Sequence, residues 1–153
     1  MEEKEKVVKV GWGLLDEFKR NLAAWHKKEH FDCVVGILRG GGIPAICASN
    51  ILKLPVYWIE VSSYKGQKQG ELTLSNLTVK DSFSKDCTVL LVDDILDSGA
   101  TMNKVVPWLL ASVGAVRPVT LITKKPAKDN ELWKFQAVRS MPKNAWIVFP
   151  WEE

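Results

Sequence analysis

CTVLLVDDILDSGAT, residues 87–101, decides the fold. A run of strand length, Cys87 to Val92 and apolar but for Thr88, enters a segment of acids, hydroxyls and glycine. Behind it Met102, Val105, Val106, Leu109, Leu110 and Val113 recur at the three- and four-residue spacing of an amphipathic helix. Pro107 predicts a kink or a late start in that helix, and Gly114 is placed as its C′ cap. A strand with no polar alternation is covered on both faces, which is the habit of parallel sheets in α/β proteins.

Working outward, the same grammar repeats. CVVGIL (33–38) is a second buried strand that ends at RGGG (39–42), with Pro44 at the N1 position of a helix over 45–52. VYWIEV (56–61) is a third strand, followed by the polar SSYKGQKQG (62–70), and ELTLSNLTV (71–79) is a weaker strand or hairpin. VTLIT (119–123) is another strand, running into KKPA (124–127). Upstream, Leu14, Leu15, Phe18, Leu22 and Trp25 mark an amphipathic helix within 12–28. The chain closes with AWIVFPWEE (145–153). Strands alternating with helices predict an α/β fold, a mostly parallel twisted sheet flanked by helices. Ligands of such sheets bind beyond the carboxyl ends of the strands. The loops 39–42, 62–70, 93–101 and 124–127 all follow strands, so four polar segments converge on one edge.

A length of 153 residues fits a single domain over 1–153. At 46% hydrophobic and 25% charged residues, the composition excludes disorder, collagen-like repeats and coiled coil. A net charge of +3 gives no case for nucleic acid. Cys33, Cys47 and Cys87 have no CxxC spacing, and Cys33 and Cys87, lying in apolar runs, are expected as buried free thiols in a reducing compartment. MEEKEKVV holds no apolar signal core, and no apolar run nears the ~20 residues of a membrane span. The expectation is a soluble, cytoplasmic protein.

The chemistry lies in two loops. Asp97-Ser98-Gly99-Ala100-Thr101 offers backbone N–H groups, two hydroxyls and a helix dipole to a phosphate. Asp93, Asp94 and Asp97 would repel a bare anion, so the ligand needs hydroxyls or a cation at its other end; carboxylates bind sugar diols and Mg²⁺. Arg39-Gly40-Gly41-Gly42 sets a fixed cation beside backbone that can approach an oxyanion closely. The apolar run plus two acids resembles a Walker B strand, but neither GxxxxGK[ST] nor GxGxxG occurs. His26-Lys27-Lys28-Glu29-His30 matches the HxxEH zinc pattern yet lies at a polar helix end without a third ligand, and is set aside. Of seven tryptophans, Trp146 is the candidate to stack on a planar base.

These segments together resemble the type I phosphoribosyltransferases, which bind 5-phosphoribosyl-1-pyrophosphate (PRPP). DDILDSGAT after VLLV is similar to the PRPP signature, and LRGGGIPA to the pyrophosphate loop. SSYKG resembles the mobile loop of the 6-oxopurine branch, and KKPA with WIVFPWE resembles the xanthine-guanine and hypoxanthine enzymes. The resemblance implies a small hood from the C-terminal segment. It implies PRPP contacts from Arg39, Gly40, Asp93, Asp94, Asp97, Ser98, Gly99, Ala100 and Thr101, with Asp94 on Mg²⁺ and a cis peptide between Leu38 and Arg39. Asp97 would be the catalytic general base near purine N7. Ser63, Tyr64 and Lys68 belong to the mobile loop. Lys125 would mark the 6-oxo group, Trp146 would stack on the base, and Ile147 would read its exocyclic edge through main-chain atoms. Gly70 stands where relatives carry an arginine that touches pyrophosphate; Lys65 or Lys68 is the substitute.

The implied activity is purine salvage: a glycosyltransferase that moves the phosphoribosyl group of PRPP to guanine, xanthine or hypoxanthine. Its product is a nucleoside monophosphate, and pyrophosphate is released. The cofactor is Mg²⁺, the partners are the two small substrates, and family habit suggests a dimer or tetramer. Two alternatives stay open: a non-catalytic sensor of PRPP or nucleotides on the same fold, and a phosphoribosyltransferase for another base. Residues 1–32 contain one helix and no helix-turn-helix, which lowers the first. An ammonium at Lys125 donates to a 6-oxo acceptor and clashes with a 6-amino donor, which speaks against adenine.

Overall fold

A computed structural model describes residues 4–62, 73–76, 83–124 and 135–152. In chain order the elements are β1 (Lys6–Lys9), α1 (Gly13–Lys28), β2 (Cys33–Leu38), α2 (Gly42–Leu52), β3 (Val56–Ser62), β4 (Thr73–Asn76), β5 (Thr88–Leu96), α3 (Ala100–Leu110), β6 (Ala115–Lys124), β7 (Gln136–Met141) and β8 (Ala145–Val148), with a 3₁₀ turn at Pro150–Glu152.

Six strands form one sheet in the order β4-β3-β2-β5-β6-β7. Every pairing is parallel except β3 with β4. The mostly parallel sheet expected from the alternating apolar strands is therefore present. Successive residues of a strand point to opposite faces, and β5 shows this directly. Leu90 and Val92 pack with Leu15, Phe18, Leu22, Ala45 and Ala48 of α1 and α2. Val89 and Leu91 pack with Met102, Val105, Val106 and Leu109 of α3 on the other side. All four β5 residues are fully buried, because helices cover both faces.

The hood is built from both ends of the chain. β1 and β8 make a separate two-stranded parallel sheet, Val7 opposite Trp146 and Val8 opposite Ile147. The C-terminal half was expected; β1 was not, because KVVK offers four residues between charged neighbours. β7 was also unforeseen, since at the sheet's edge only Ala137, Val138 and Met141 are half-buried and they do not alternate.

Three boundaries differ from expectation. β5 runs on to Leu96 rather than stopping at Val92, since Asp93, Ile95 and Leu96 continue the ladder opposite Thr120, Ile122 and Thr123 of β6. α2 begins at Gly42, so Pro44 is the third helical residue, still within the turn whose N–H groups have no helical acceptor. α3 begins at Ala100 and contains Pro107, so there is no late start. Gly114 is not a C′ cap: it donates to the Cys87 carbonyl at 2.9 Å, and a side chain there would collide with the Lys85 carbonyl. A close approach of backbone explains this glycine.

No helix of the described residues is long and apolar enough to cross a membrane. Among them the three cysteines are free; Cys33 is buried as expected, its thiol pushed up to about 12 by burial, whereas Cys87, just ahead of β5, is only half-buried. His26 and His30 stack on each other with ring centroids 5.0 Å apart, and His26 Nδ1 accepts the Phe31 N–H at 3.3 Å. That is a helix-end arrangement, not a zinc motif.

Candidate active site

β2 and β5 are neighbours, so their carboxyl ends bring the glycine loop and the acidic segment together. The peptide between Leu38 and Arg39 is cis, as the resemblance implied. Arg39 follows, exposed, and its carbonyl accepts the Gly42 N–H at 3.0 Å. Gly41 N–H donates to the Ile37 carbonyl at 2.8 Å, folding the loop back over β2. A Cβ on Gly41 would lie 2.5 Å from the Val92 carbonyl and 2.6 Å from the Ile37 carbonyl. One on Gly40 would run into the Asp94 carboxylate. The glycine run is thus a requirement of close backbone packing against the acidic strand end.

Asp93 and Asp94 lie inside the extended β5. Asp93 is buried, 9% exposed, and Asp94 is half-buried. Asp93 Oδ1 accepts the Asp94 N–H at 2.9 Å, and Asp94 Oδ1 accepts the Ile95 N–H at 2.7 Å. Burial, and then the neighbouring carboxylate, hold the Asp93 carboxyl well above the usual carboxylate range. Burial also raises Asp94, with the charge of Glu152 acting in the same direction. Glu152, on the 3₁₀ turn that follows β8, is thus near enough for its charge to act on Asp94; its own Oε2 accepts the Phe149 N–H at 3.1 Å. Sequence reasoning left Glu152 unplaced, and only the return of the chain end to the sheet reveals it.

Beyond Leu96 the chain turns into α3. Gly99 sits at φ 89°, a left-handed backbone that an L side chain rarely adopts, and forms the N-cap with no side-chain cap on the helix. Ser98 Oγ accepts the Ala100 N–H at 3.3 Å. A cavity of about 70 Å³ is lined by Asp93, Ile95, Leu96, Asp97, Ser98, Gly99, Ala100, Thr101 and Met102. A glycine-led helix end lined by two hydroxyls, with Ser98 accepting only the first N–H, is an anion cradle by its chemistry.

Asp97 is exposed, and Lys124 Nζ lies 3.7 Å from its Oδ2 with a side chain only 13% exposed. Lys124 closes β6 and was passed over in favour of its neighbour Lys125. The available signal was its position as the first residue after the strand expected over 119–123. Trp146 is exposed on β8 and Ile147 is buried, its side chain turned into the core. Ser63, Tyr64, Lys65, Lys68, Gly70 and Lys125 lie outside the described residues.

The described residues hold no cluster of three or more His, Cys, Asp or Glu groups that would cage a metal. Mg²⁺ needs less than that: one or two carboxylates plus phosphate oxygens of a substrate. A buried and a half-buried carboxyl side by side, with hard oxygen donors, fit such an ion.

Comparison with known proteins agrees with this geometry. The chain is 28% identical to the xanthine-guanine phosphoribosyltransferase of Cereibacter sphaeroides, over 97% of this chain and 88% of that protein. The purine phosphoribosyltransferase of Pyrococcus horikoshii superposes with a TM-score of 0.76 at 29% identity, covering 97% of this chain and 95% of that one. A hypothetical protein from Neisseria gonorrhoeae with bound ppGpp has the same fold, TM-score 0.81 at 21% identity, covering 99% of this chain and 92% of that one. Residues 13–153 match the phosphoribosyl transferase domain family. The chain belongs to the phosphoribosyltransferase family and is a transferase.

Proposed function

We propose that this enzyme transfers the 5-phosphoribosyl group of PRPP to a 6-oxopurine base (guanine, xanthine or hypoxanthine), releasing pyrophosphate and forming a nucleoside monophosphate in purine salvage. The observation that carries the reading is the Asp93–Asp94 pair, one buried and one half-buried, set between the glycine loop and the glycine-led start of α3. Relatives named as xanthine-guanine and purine enzymes support the choice of base.

The roles follow from charge. Breaking the C1–pyrophosphate bond leaves positive charge on the sugar, so anions belong near the ribose and cations near the leaving group. Asp93 and Asp94 face the ribose diol. Asp97 to Thr101 hold the 5′-phosphate through main-chain N–H groups and the hydroxyls of Ser98 and Thr101. Arg39 and Gly40 take the pyrophosphate. Asp94 would hold Mg²⁺, which supplies further positive charge to the leaving group. Asp97 accepts the proton from purine N7, and Lys124 beside it balances its charge before transfer. Trp146 stacks on the base, Ile147 reads its edge through main-chain atoms, and Lys125 donates to the 6-oxo group. Ser63, Tyr64 and Lys68 close over the substrates and exclude water from the activated sugar. The protein works in the cytoplasm as a single domain that assembles into a dimer or tetramer.

The test is pyrophosphate release from PRPP and Mg²⁺ with hypoxanthine, guanine, xanthine or adenine added singly. Turnover with a 6-oxopurine and none with adenine is the expected result. Turnover only with adenine overturns the base assignment. PRPP binding without turnover on any base replaces the reading with that of a sensor.

A further inference from the structure

Among the described residues the exposed large apolar side chains are Val7, Trp12, Ile46, Ile51, Trp108 and Trp146. Two of these are register partners: Val7 of β1 stands directly opposite Trp146 of β8. Val7 is 61% exposed and Trp146 57%. Paired strands lie about 4.8 Å apart, and opposed residues project from the same face, so the valine methyls flank the indole. The alternate positions explain why both face outward. Ala145 and Ile147 are buried in the core with Val10, and Val8 packs against the same cluster. Val8 and Val10 thus supply the packing that anchors β1. Val7 adds apolar surface on the other side, between the exposed Lys6 and the half-buried Val8.

We infer that Val7 is a base-contacting residue that widens the Trp146 platform, its methyl groups meeting the edge of the stacked heterocycle. The inference rests on the stacking role given to Trp146. An indole alone offers a purine one flat face. A β-branched apolar side chain beside it extends that face past the ring and excludes water from the rim of the stack. β1 therefore brings an N-terminal residue into a site otherwise built from the strand ends of the sheet and the C-terminal hood. Its expected effect falls on affinity for the base, since Val7 carries neither charge nor hydrogen-bond donor toward PRPP.

The full chain is compared with Val7→Ala, Val7→Thr and Val7→Ile by steady-state kinetics, by titration with guanosine 5′-monophosphate and by sedimentation. For Val7→Ala, the loss of partly desolvated methyl contact raises KM for the purine base by about three- to ten-fold. Val7→Thr falls between alanine and wild type. Val7→Ile keeps the wild-type value, and kcat and the KM for PRPP hold in all three. Unchanged base KM in both Val7→Ala and Val7→Thr overturns the inference. So does a parallel rise in both KM values, which marks loosening of β1, or a change of oligomeric state, which assigns the patch to a second copy. The nucleotide titration separates this from the proposed activity. Wild-type binding without turnover sinks the catalytic reading alone, and Val7→Ala then still weakens that binding; absence of both removes the two together.

Discussion

The two ends of the central sheet are built from the same strands and treat charge in opposite ways. At the amino end every charged group noted is matched. Arg117, near the start of β6, grips Glu29 at the end of α1 with two hydrogen bonds of 2.5 and 2.9 Å. Asp32 and Thr88 tie β2 to β5 through a pair of bonds, the Asp32 N–H donating to the Thr88 carbonyl at 2.9 Å and the Thr88 N–H to Asp32 Oδ2 at 2.8 Å. Lys85 Nζ donates to the Leu110 carbonyl at 2.8 Å, satisfying the last turn of α3. At the carboxyl end, two adjacent carboxyls, one buried and one half-buried, are held at the cost of raised protonation, and the start of α3 has a side-chain acceptor for its first N–H only. The first end is solved by the protein alone. The second is left with a deficit that cation, phosphate and sugar hydroxyls would fill, which is the pattern of a site that gives up stability for function.

The sharpest way to break that comparison is to neutralise Asp97. As the general base, Asp97→Asn lowers kcat by about 10²–10⁴-fold while PRPP binding, read by calorimetry, changes little. Equal loss of both would reduce Asp97 to a loop-shaping residue and leave the deficit without a catalytic purpose.

Asp94→Asn tests the deficit itself and carries two readouts of opposite sign. Turnover falls by about 10²–10³-fold with the loss of one electrostatic partner of the transition state. The ligand-free protein melts at a higher temperature near neutral pH, because an amide replaces a half-buried carboxyl whose charged form burial disfavours. The pH dependence follows the same sign. A carboxyl whose folded pKa is raised contributes stability that is fully present below its unfolded value, about 4, and lost as pH rises through the raised folded value. In the ligand-free protein this pair therefore lowers the melting temperature as pH climbs from about 4 toward neutrality, and Mg²⁺ with PRPP restores it. Asp94→Asn flattens that slope. A melting temperature that drops in Asp94→Asn would show the carboxylate to be a structural anchor.

Gly41→Ala probes the packing that holds the glycine loop against β5. Its Cβ would meet two backbone carbonyls rather than a side chain able to swing away, at 2.5 and 2.6 Å. The expected loss is about 1–3 kcal/mol of stability, the usual range for forced overpacking, measured by urea unfolding. Unchanged stability would mean that the loop moves freely and that its contact with the strand end is incidental.

What could be read in advance follows from how local the signal is. The buried strands β2, β5 and β6 announce themselves by continuous apolar residues, and the two loops after β2 and β5 by residue types that only a phosphate and a sugar need together. β1 was illegible because Val7 and Val8 have no period of their own; only pairing with β8, near the other end of the chain, makes them part of a strand. The extension of β5 through Asp93 and Asp94 was equally hidden. Two acids read as a strand end, and it is the ladder with β6 that carries the backbone past them. Glu152 and Lys124 were missed for the same reason: each becomes a site neighbour through tertiary return. The hood was expected from the tail, yet half of it comes from the opposite terminus.

The smallest effect belongs to the amino end, and its smallness is the point. Glu29 and Arg117 form a two-bond pair, but their side chains are 33% and 30% exposed, so solvent screens much of the attraction. A pair of this kind contributes about 0.2–1 kcal/mol. Glu29→Gln keeps the shape and one acceptor, so the melting temperature falls slightly, kcat and both KM values hold, and added salt shrinks the difference from wild type. Glu29 is the side to change, since Arg117 makes a further interaction that its removal would also erase. The pair lies beside a cavity of about 230 Å³ lined by Trp25, Lys28, Phe31, Phe135 and Gln136, so a change here also reports whether that end of the sheet communicates with the other. If Glu29→Gln lowered kcat as far as Asp94→Asn does, the division of the sheet into a self-sufficient end and a ligand-dependent end would fail. A loss confined to stability fixes that division, because the same kind of carboxyl, moved from one strand end to the other, changes from a fastening into a reagent.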